Sequence, residues 1–158
     1  MKKLSLFTII LILCDQLIKV FISHSLVEYE YIDIIKNVLT ITHVHNTGAA
    51  FSLLSNNIWL LIGISLIALV FIYFYVLKKI VYTNFNIFVY SLLIGGIIGN
   101  LIDRLVHGYV IDYISVNIFG YHFPIFNLAD IFIVVSVILL FIKTFQEEIC
   151  KKSKLKKK

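Results

Sequence analysis

Four runs of apolar residues dominate the chain, at about residues 4–22, 58–77, 87–106 and 126–144. Each is close to the ~20 residues that a helix needs to cross a hydrocarbon core. A helix pairs its own backbone polar groups, so it can cross lipid without water to satisfy them. The expected architecture is a membrane all-α bundle of four transmembrane helices, formed as one polytopic domain over residues 1–158. Composition agrees: 60% of the residues are hydrophobic and the mean hydropathy is +0.97, well above a soluble domain.

Charge fixes an orientation. The net charge is +5, and the lysines cluster. Lys2 and Lys3 precede the first run, Lys78 and Lys79 follow the second, and six lysines from Lys151 to Lys158 end the chain. Basic residues beside spans stay cytoplasmic. Both termini and the 78–79 link are therefore expected inside, which needs an even number of spans. Residues 23–57 and 107–125 are then extracytoplasmic, and 145–158 form a cytoplasmic tail. Beside membrane spans, that tail suits anionic lipid better than nucleic acid, so membrane lipids are an expected partner and nucleic acid is not.

The first run resembles a lipoprotein signal ending at Cys14. However, Leu13 is bulky where such a signal carries a small residue, and no A-x-A pattern follows. The segment is expected to be retained, with Cys14 an ordinary buried thiol. Cys14 and Cys150 fall on opposite sides of this topology, so no disulfide joins them. No cysteine set has the spacing of a zinc ribbon.

Helix rise converts positions into depths. Asp15 lies about 16 Å along an outward-running helix from Leu4, past the middle of the core, and Lys19 is one turn further out. Asn100, Asp103 and Arg104 lie about 20–26 Å from Ile87 on a second outward helix. Asn127 and Asp130 start an inward one. These groups thus collect in the outer leaflet, where ionisable residues near hydrocarbon mark function. Asn100, Asp103 and Arg104 share a helical face at i, i+3 and i+4, while Asp15 and Lys19 are an i, i+4 pair suited to a structural pin. Gly95 and Gly99 have the small-xxx-small spacing of closely packed helices.

Asp112 lies just past the third run, after Gly108-Tyr109-Val110-Ile111. If that stretch folds back, Asp112 reaches Asp130, and two carboxylates sharing one site hold a proton between them. Such a pair contains both the base that activates water and the acid that protonates a leaving group. From spacing alone, Asp112 as a solvated loop acid stays open, as does Asp103 in its place beside Asp130. Residues 38–45 alternate as a strand does, with Asn46-Thr47-Gly48 a turn. Ala49-Ala50-Phe51 and Leu53-Leu54 suit a membrane surface. His43 and His45 share a strand face, but without a clear third ligand they are a weak metal signal. No G-x-S-x-G is present. On these residues alone a non-enzymatic reading also stands: a small transporter or assembly subunit with buried polar groups.

The motifs D-Q-L-I-K (15–19), N-T-G-A-A-F (46–51), G-N-L-I-D-R (99–104), V-I-D-Y (110–113) and F-N-L-A-D (126–130) together resemble the lipoprotein signal peptidase family, also called signal peptidase II. The resemblance spans nearly the whole chain. It implies an aspartyl endopeptidase of the bacterial plasma membrane that cleaves a prolipoprotein just before its diacylglyceryl-modified cysteine. It implies Asp112 and Asp130 as catalytic residues, with Asn46, Gly48, Asn100, Arg104 and Asn127 binding substrate. Asp15, Lys19, Asp103 and Ala129 would support the site. It also implies a small extracytoplasmic β-cradle, here built from residues 23–57, no metal or organic cofactor, and a monomer.

Overall fold

The computed structural model describes residues 2–48, 54–55 and 57–155. The chain runs α1 (Lys2–Ser25), β1 (Tyr31–Ile35), β2 (Leu39–Asn46), α2 (Ile58–Phe71), α3 (Asn84–Val106), β3 (Val110–Ile118), β4 (Tyr121–His122) and α4 (Leu128–Leu155). Helix α2 passes directly into a π-helical stretch, Ile72–Leu77. The four helical segments are long and apolar enough to cross a membrane.

Helix ends follow their caps rather than the apolar runs. Thr83 Oγ1 accepts from Asn86 N at 3.1 Å and starts α3 three residues earlier than hydropathy indicates. Asn127 and Asp130 cap α4 reciprocally. Asn127 Oδ1 accepts from Asp130 N at 3.0 Å, and Asp130 Oδ2 accepts from Asn127 N at 3.2 Å, the capping-box arrangement. Helix α4 therefore begins at Leu128, not 126. It also continues to Leu155 instead of stopping near 144, because glutamate, glutamine and lysine propagate a helix well although they end an apolar run.

Helix α3 is the centre of the bundle, packed against α1 on one flank and α4 on the other. Its glycines allow this and divide between the two neighbours. A Cβ on Gly95 would stand 3.2 Å from Leu11 Cβ of α1. On Gly96 it would collide with the Ala129 carbonyl oxygen of α4. On Gly99 it would meet both helices, 2.6 Å from Asp15 Oδ2 and 3.2 Å from Ala129 Cβ. The Gly95/Gly99 spacing thus marks close packing, but Gly96 belongs to the same device. Helix α2 buries only Leu61 and Ile62 and stands as an outer strut. Cys14 is a correction: it is exposed on the outer face of α1, since successive helical residues turn by about 100° and Asp15 takes the inner position.

The strands form one antiparallel sheet in the order β1-β2-β3-β4. The expected cradle from residues 23–57 supplies only β1 and β2. The other half, including the strand that carries Asp112, comes from 110–122. The expected strand 38–45 is β2, yet its alternation is broken. Register against β3 shifts by one between Ile41 and Val44. Thr42 and His43 are consequently both buried in succession, as an inserted residue at a β-bulge produces. Ile22, Leu26, Ile111 and Tyr113 form the apolar cluster that seats the sheet on α1. The surface expected from Ala49-Ala50-Phe51 and Leu53 lies outside the described residues. Leu54 is exposed.

Candidate active site

Five elements deliver polar groups to one place. Asp112 sits on β3 opposite Val44 of β2, and Asn46 ends β2 two residues further on. Asn46 Oδ1 accepts from Gly48 N at 2.8 Å, a side-chain turn that leaves Asn46 Nδ2 to donate to Asp112 Oδ2 at 2.7 Å. Asn127 Nδ2 donates to Asp112 Oδ1 at 2.7 Å and to Asn100 Oδ1 at 3.1 Å. Asn100 Nδ2 in turn donates to Asp130 Oδ1 at 2.7 Å. Two asparagine amides thus link the two carboxylates, and each amide has its oxygen already occupied by a donor.

What orients Asn100 is Lys19. Its ammonium has only donors, and it contacts Asn100 Oδ1 at 3.0 Å, Asp15 Oδ2 at 2.9 Å and Asp103 Oδ2 at 2.9 Å. The Asn100 oxygen must face Lys19, so its NH2 must face Asp130. Lys19 is 1% exposed and Asp15 0%, so the buried cation is matched on every side, as burial demands. The expected Asp15–Lys19 pin is present and larger than a pair. Asp15 Oδ1 also accepts from Ala129 N at 3.0 Å, satisfying an N-terminal amide of α4 from α1. Ala129 is fully buried against Gly99, where a longer side chain has no room.

Asp103 takes its partners from α1 and β3. Its partners are Lys19, Gln16 Nε2 at 2.9 Å and Ile111 N at 3.1 Å. It fastens α1 and the start of β3 to α3. Arg104 donates from Nη2 to Gly48 O at 3.3 Å, and its Nε finds no partner among the described residues.

A cavity of about 630 Å³ brings Asn46, Gly48, Asn100, Arg104, Asp112 and Asp130 onto one surface. Its other walls are Val110 of β3, residues 123–126, and Ile131, Ile133, Val134 and Val135 of α4. Neither Asp103 nor Asp15 lines it. Burial, and next the Asp130 charge, push the Asp112 carboxyl up to about 7, against the lowering effect of the Asn46 and Asn127 hydrogen bonds. A carboxyl whose proton is favoured by burial and a second carboxyl therefore share this cavity.

The signal peptidase II family model matches residues 7–146. The chain belongs to the signal peptidase II family. A lipoprotein signal peptidase of Clostridioides difficile (strain 630) is 42% identical over 135 residues, covering 85% of this chain and 89% of that protein. The lipoprotein signal peptidase of Staphylococcus aureus (strain JH9) is 36% identical over 149 residues, 94% of this chain and 91% of the other. A solved structure described as a bacterial membrane enzyme by the in meso method at 2.3 Å resolution is similar with a TM-score of 0.87 and 34% identity. It covers 94% of this chain and 90% of its own. A second, at 1.9 Å resolution, gives a TM-score of 0.81 and 35% identity over 91% of this chain and 93% of its own.

This member of the signal peptidase II family is thus a multi-pass bacterial membrane protein. It is an aspartic-type peptidase of the kind that processes prolipoproteins. That sets aside the non-enzymatic transporter or assembly subunit. Gln16 is the residue that sequence reasoning overlooked. It reaches Asp103, Gly99 O and Asp15, and its only signal was one more polar residue in the first apolar run. Tyr113 was likewise overlooked as a contributor. Its hydroxyl accepts from Leu128 N at 3.1 Å, holding the start of α4 to β3. The two histidines pair with each other through Nε2 atoms 3.2 Å apart, with His43 Nδ1 on Leu26 O and His45 Nδ1 near Glu28. Among the described residues no group of three His, Cys, Asp or Glu is placed to hold a metal ion.

Proposed function

We propose that Asp112 and Asp130 are the catalytic pair, and that they cut a prolipoprotein just before its diacylglyceryl-modified cysteine. The observation that carries this is their shared cavity: both carboxyls line it, each held by an asparagine amide, beside an apolar wall of α4. In the resting enzyme Asp112 holds the shared proton and Asp130 is the base. Asp130 takes a proton from water, and the water oxygen attacks the scissile carbonyl. Asp112 protonates the developing oxyanion, and the pair then delivers a proton to the leaving amine. Arg104, Asn46 and the Gly48 backbone hold the substrate main chain, whose polar groups need partners where water is scarce. Asp15, Lys19, Asp103 and Ala129 support this arrangement without touching substrate. The bundle carries the site at the extracytoplasmic leaflet, with both termini cytoplasmic, and it acts as a monomer.

The test is cleavage of a lipidated and a non-lipidated precursor by purified protein. Wild type should cleave the lipidated form alone. Asp112→Asn and Asp130→Asn should each lose at least the ~10²–10⁴-fold typical of general acid–base groups, while still binding the precursor. Asp103→Asn should lose thermal stability first. Near wild-type turnover by well-folded Asp112→Asn, with Asp103→Asn folded but inert, would make Asp103 the partner of Asp130.

A further inference from the structure

Asp112 opens onto a second cavity besides the one described above. Its volume is about 590 Å³, and its lining includes Tyr29, His45, Thr47, Tyr121 and His122. The two cavities share Asn46, Asp112 and residues 123–125. Their remaining walls differ in kind. The first is faced by α3 and the aliphatic side chains of α4. Among the described residues, nothing that lines the second belongs to any of the four helices. It is built from strands and their loops. Imidazoles and hydroxyls face it, and Glu28 stands beside His45 at 3.3 Å.

A peptide bond placed at Asp112 has two flanks of opposite chemistry. The flank before the bond is the apolar signal segment, which suits the aliphatic wall of α4. The flank after it is the mature polypeptide, whose main-chain N–H and C=O groups are costly to leave unpaired among Ile and Val. Asp112 stands where the two environments meet. We propose that the second cavity is the subsite for the mature polypeptide. It would hold the first residues after the modified cysteine as an extended, polar chain and so set which prolipoproteins are cut well. This rests on the peptidase reading above and adds to it the side on which the substrate leaves the site.

The test uses full-length purified protein in lipid-containing micelles and two lipidated precursor peptides. One peptide ends one residue after the modified cysteine, and the other extends well beyond it. Wild type should cleave both, with a KM for the long precursor about tenfold lower, as extra binding outside the reacting bond produces. His122→Trp, which fills the cavity away from the aspartates, should raise the KM of the long precursor to that of the short one. Its cleavage of the short precursor should be unchanged, which also shows that it folds. His122→Glu should turn preference among long precursors toward lysine after the cysteine and away from aspartate. A merely structural role for His122 would not produce that reversal. Equal treatment of short and long precursors by wild type, or equal losses on both in the variants, would overturn the proposal. If wild type cleaves neither length, the peptidase reading itself falls, and this one with it.

Discussion

The ammonium of Lys19 decides the orientation of an amide, and through that amide the geometry of the cavity. It faces two carboxylates and one carbonyl oxygen, which leaves the Asn100 NH2 free to point at Asp130. No property of Asn100 alone would choose that rotamer. Asp112 shows the converse, a residue whose chemistry is set by burial. Its ordinary value of 3.8 rises to about 7 in the folded protein. The folded state therefore keeps its proton where the unfolded chain has lost it. The stabilisation this gives is fully present below the unfolded value and is lost as pH rises through about 7. Asp112→Asn carries no such charge at any pH. In thermal melts in detergent, wild type should lose stability relative to Asp112→Asn by about 5–10 °C between pH 5 and pH 8. Wild-type kcat/KM should fall over the same alkaline limb, with an apparent pKa that belongs to the pair. A constant difference between the two proteins across that range would show that Asp112 is not buried as an acid.

Helix α3 works as a spacer whose width is set by glycine. At Gly99 the spacing and the site coincide, because the hydrogen a glycine carries there leaves room for the Asp15 carboxylate. Gly99→Ala should displace Asp15 from Lys19 and from the first turn of α4. Overpacking of this kind costs about 1–3 kcal/mol, a fall in Tm of about 3–10 °C, with activity falling alongside. Gly63→Ala on α2 meets nothing within 4 Å and serves as the matched control, with unchanged melting and turnover. Equal behaviour of the two variants in a melting experiment would remove the close approach of α3 and α1 as a determinant of the site. The sheet is an element of the same importance, since β3 carries Asp112 and β2 ends at Asn46. The bulge opposite Tyr113 buries Thr42 and His43 together.

Across the bundle, the large apolar side chains that remain exposed lie mostly on α1, α2 and α4, as expected for faces turned to lipid rather than to a water-excluding core. The polar cluster is confined to one end, where α1, α3, α4 and the sheet meet. In the proposed orientation, which rests on the lysine clusters, that end lies outside. In a variant lacking Cys14 and Cys150, a cysteine at Lys36 on the β1–β2 turn should react with a membrane-impermeant maleimide in intact cells. One at Lys79 should react only after permeabilisation. The reverse pattern would invert the topology and move the proposed site to the cytoplasmic leaflet.

Hydropathy and helix rise were enough to read four spans and to bring Asp15, Lys19, Asn100, Asp103, Asn127 and Asp130 to one depth. A helix is defined by bonds between near neighbours, and its length maps directly onto a bilayer. The same reasoning could not choose between Asp103 and Asp112 beside Asp130. That choice depends on β3 returning across the bundle and on contacts between residues far apart in the chain, such as the Asn127 amide on Asp112 and the Ala129 N–H on Asp15, 114 positions away. Half the sheet, the bulge and the role of Gln16 were hidden for the same reason. Strand pairing and side-chain partners are non-local, and a single polar residue in an apolar run does not say which neighbour it will meet. Depth is a property of one segment and can be read along it. Partnership is a property of several segments and exists only once they pack.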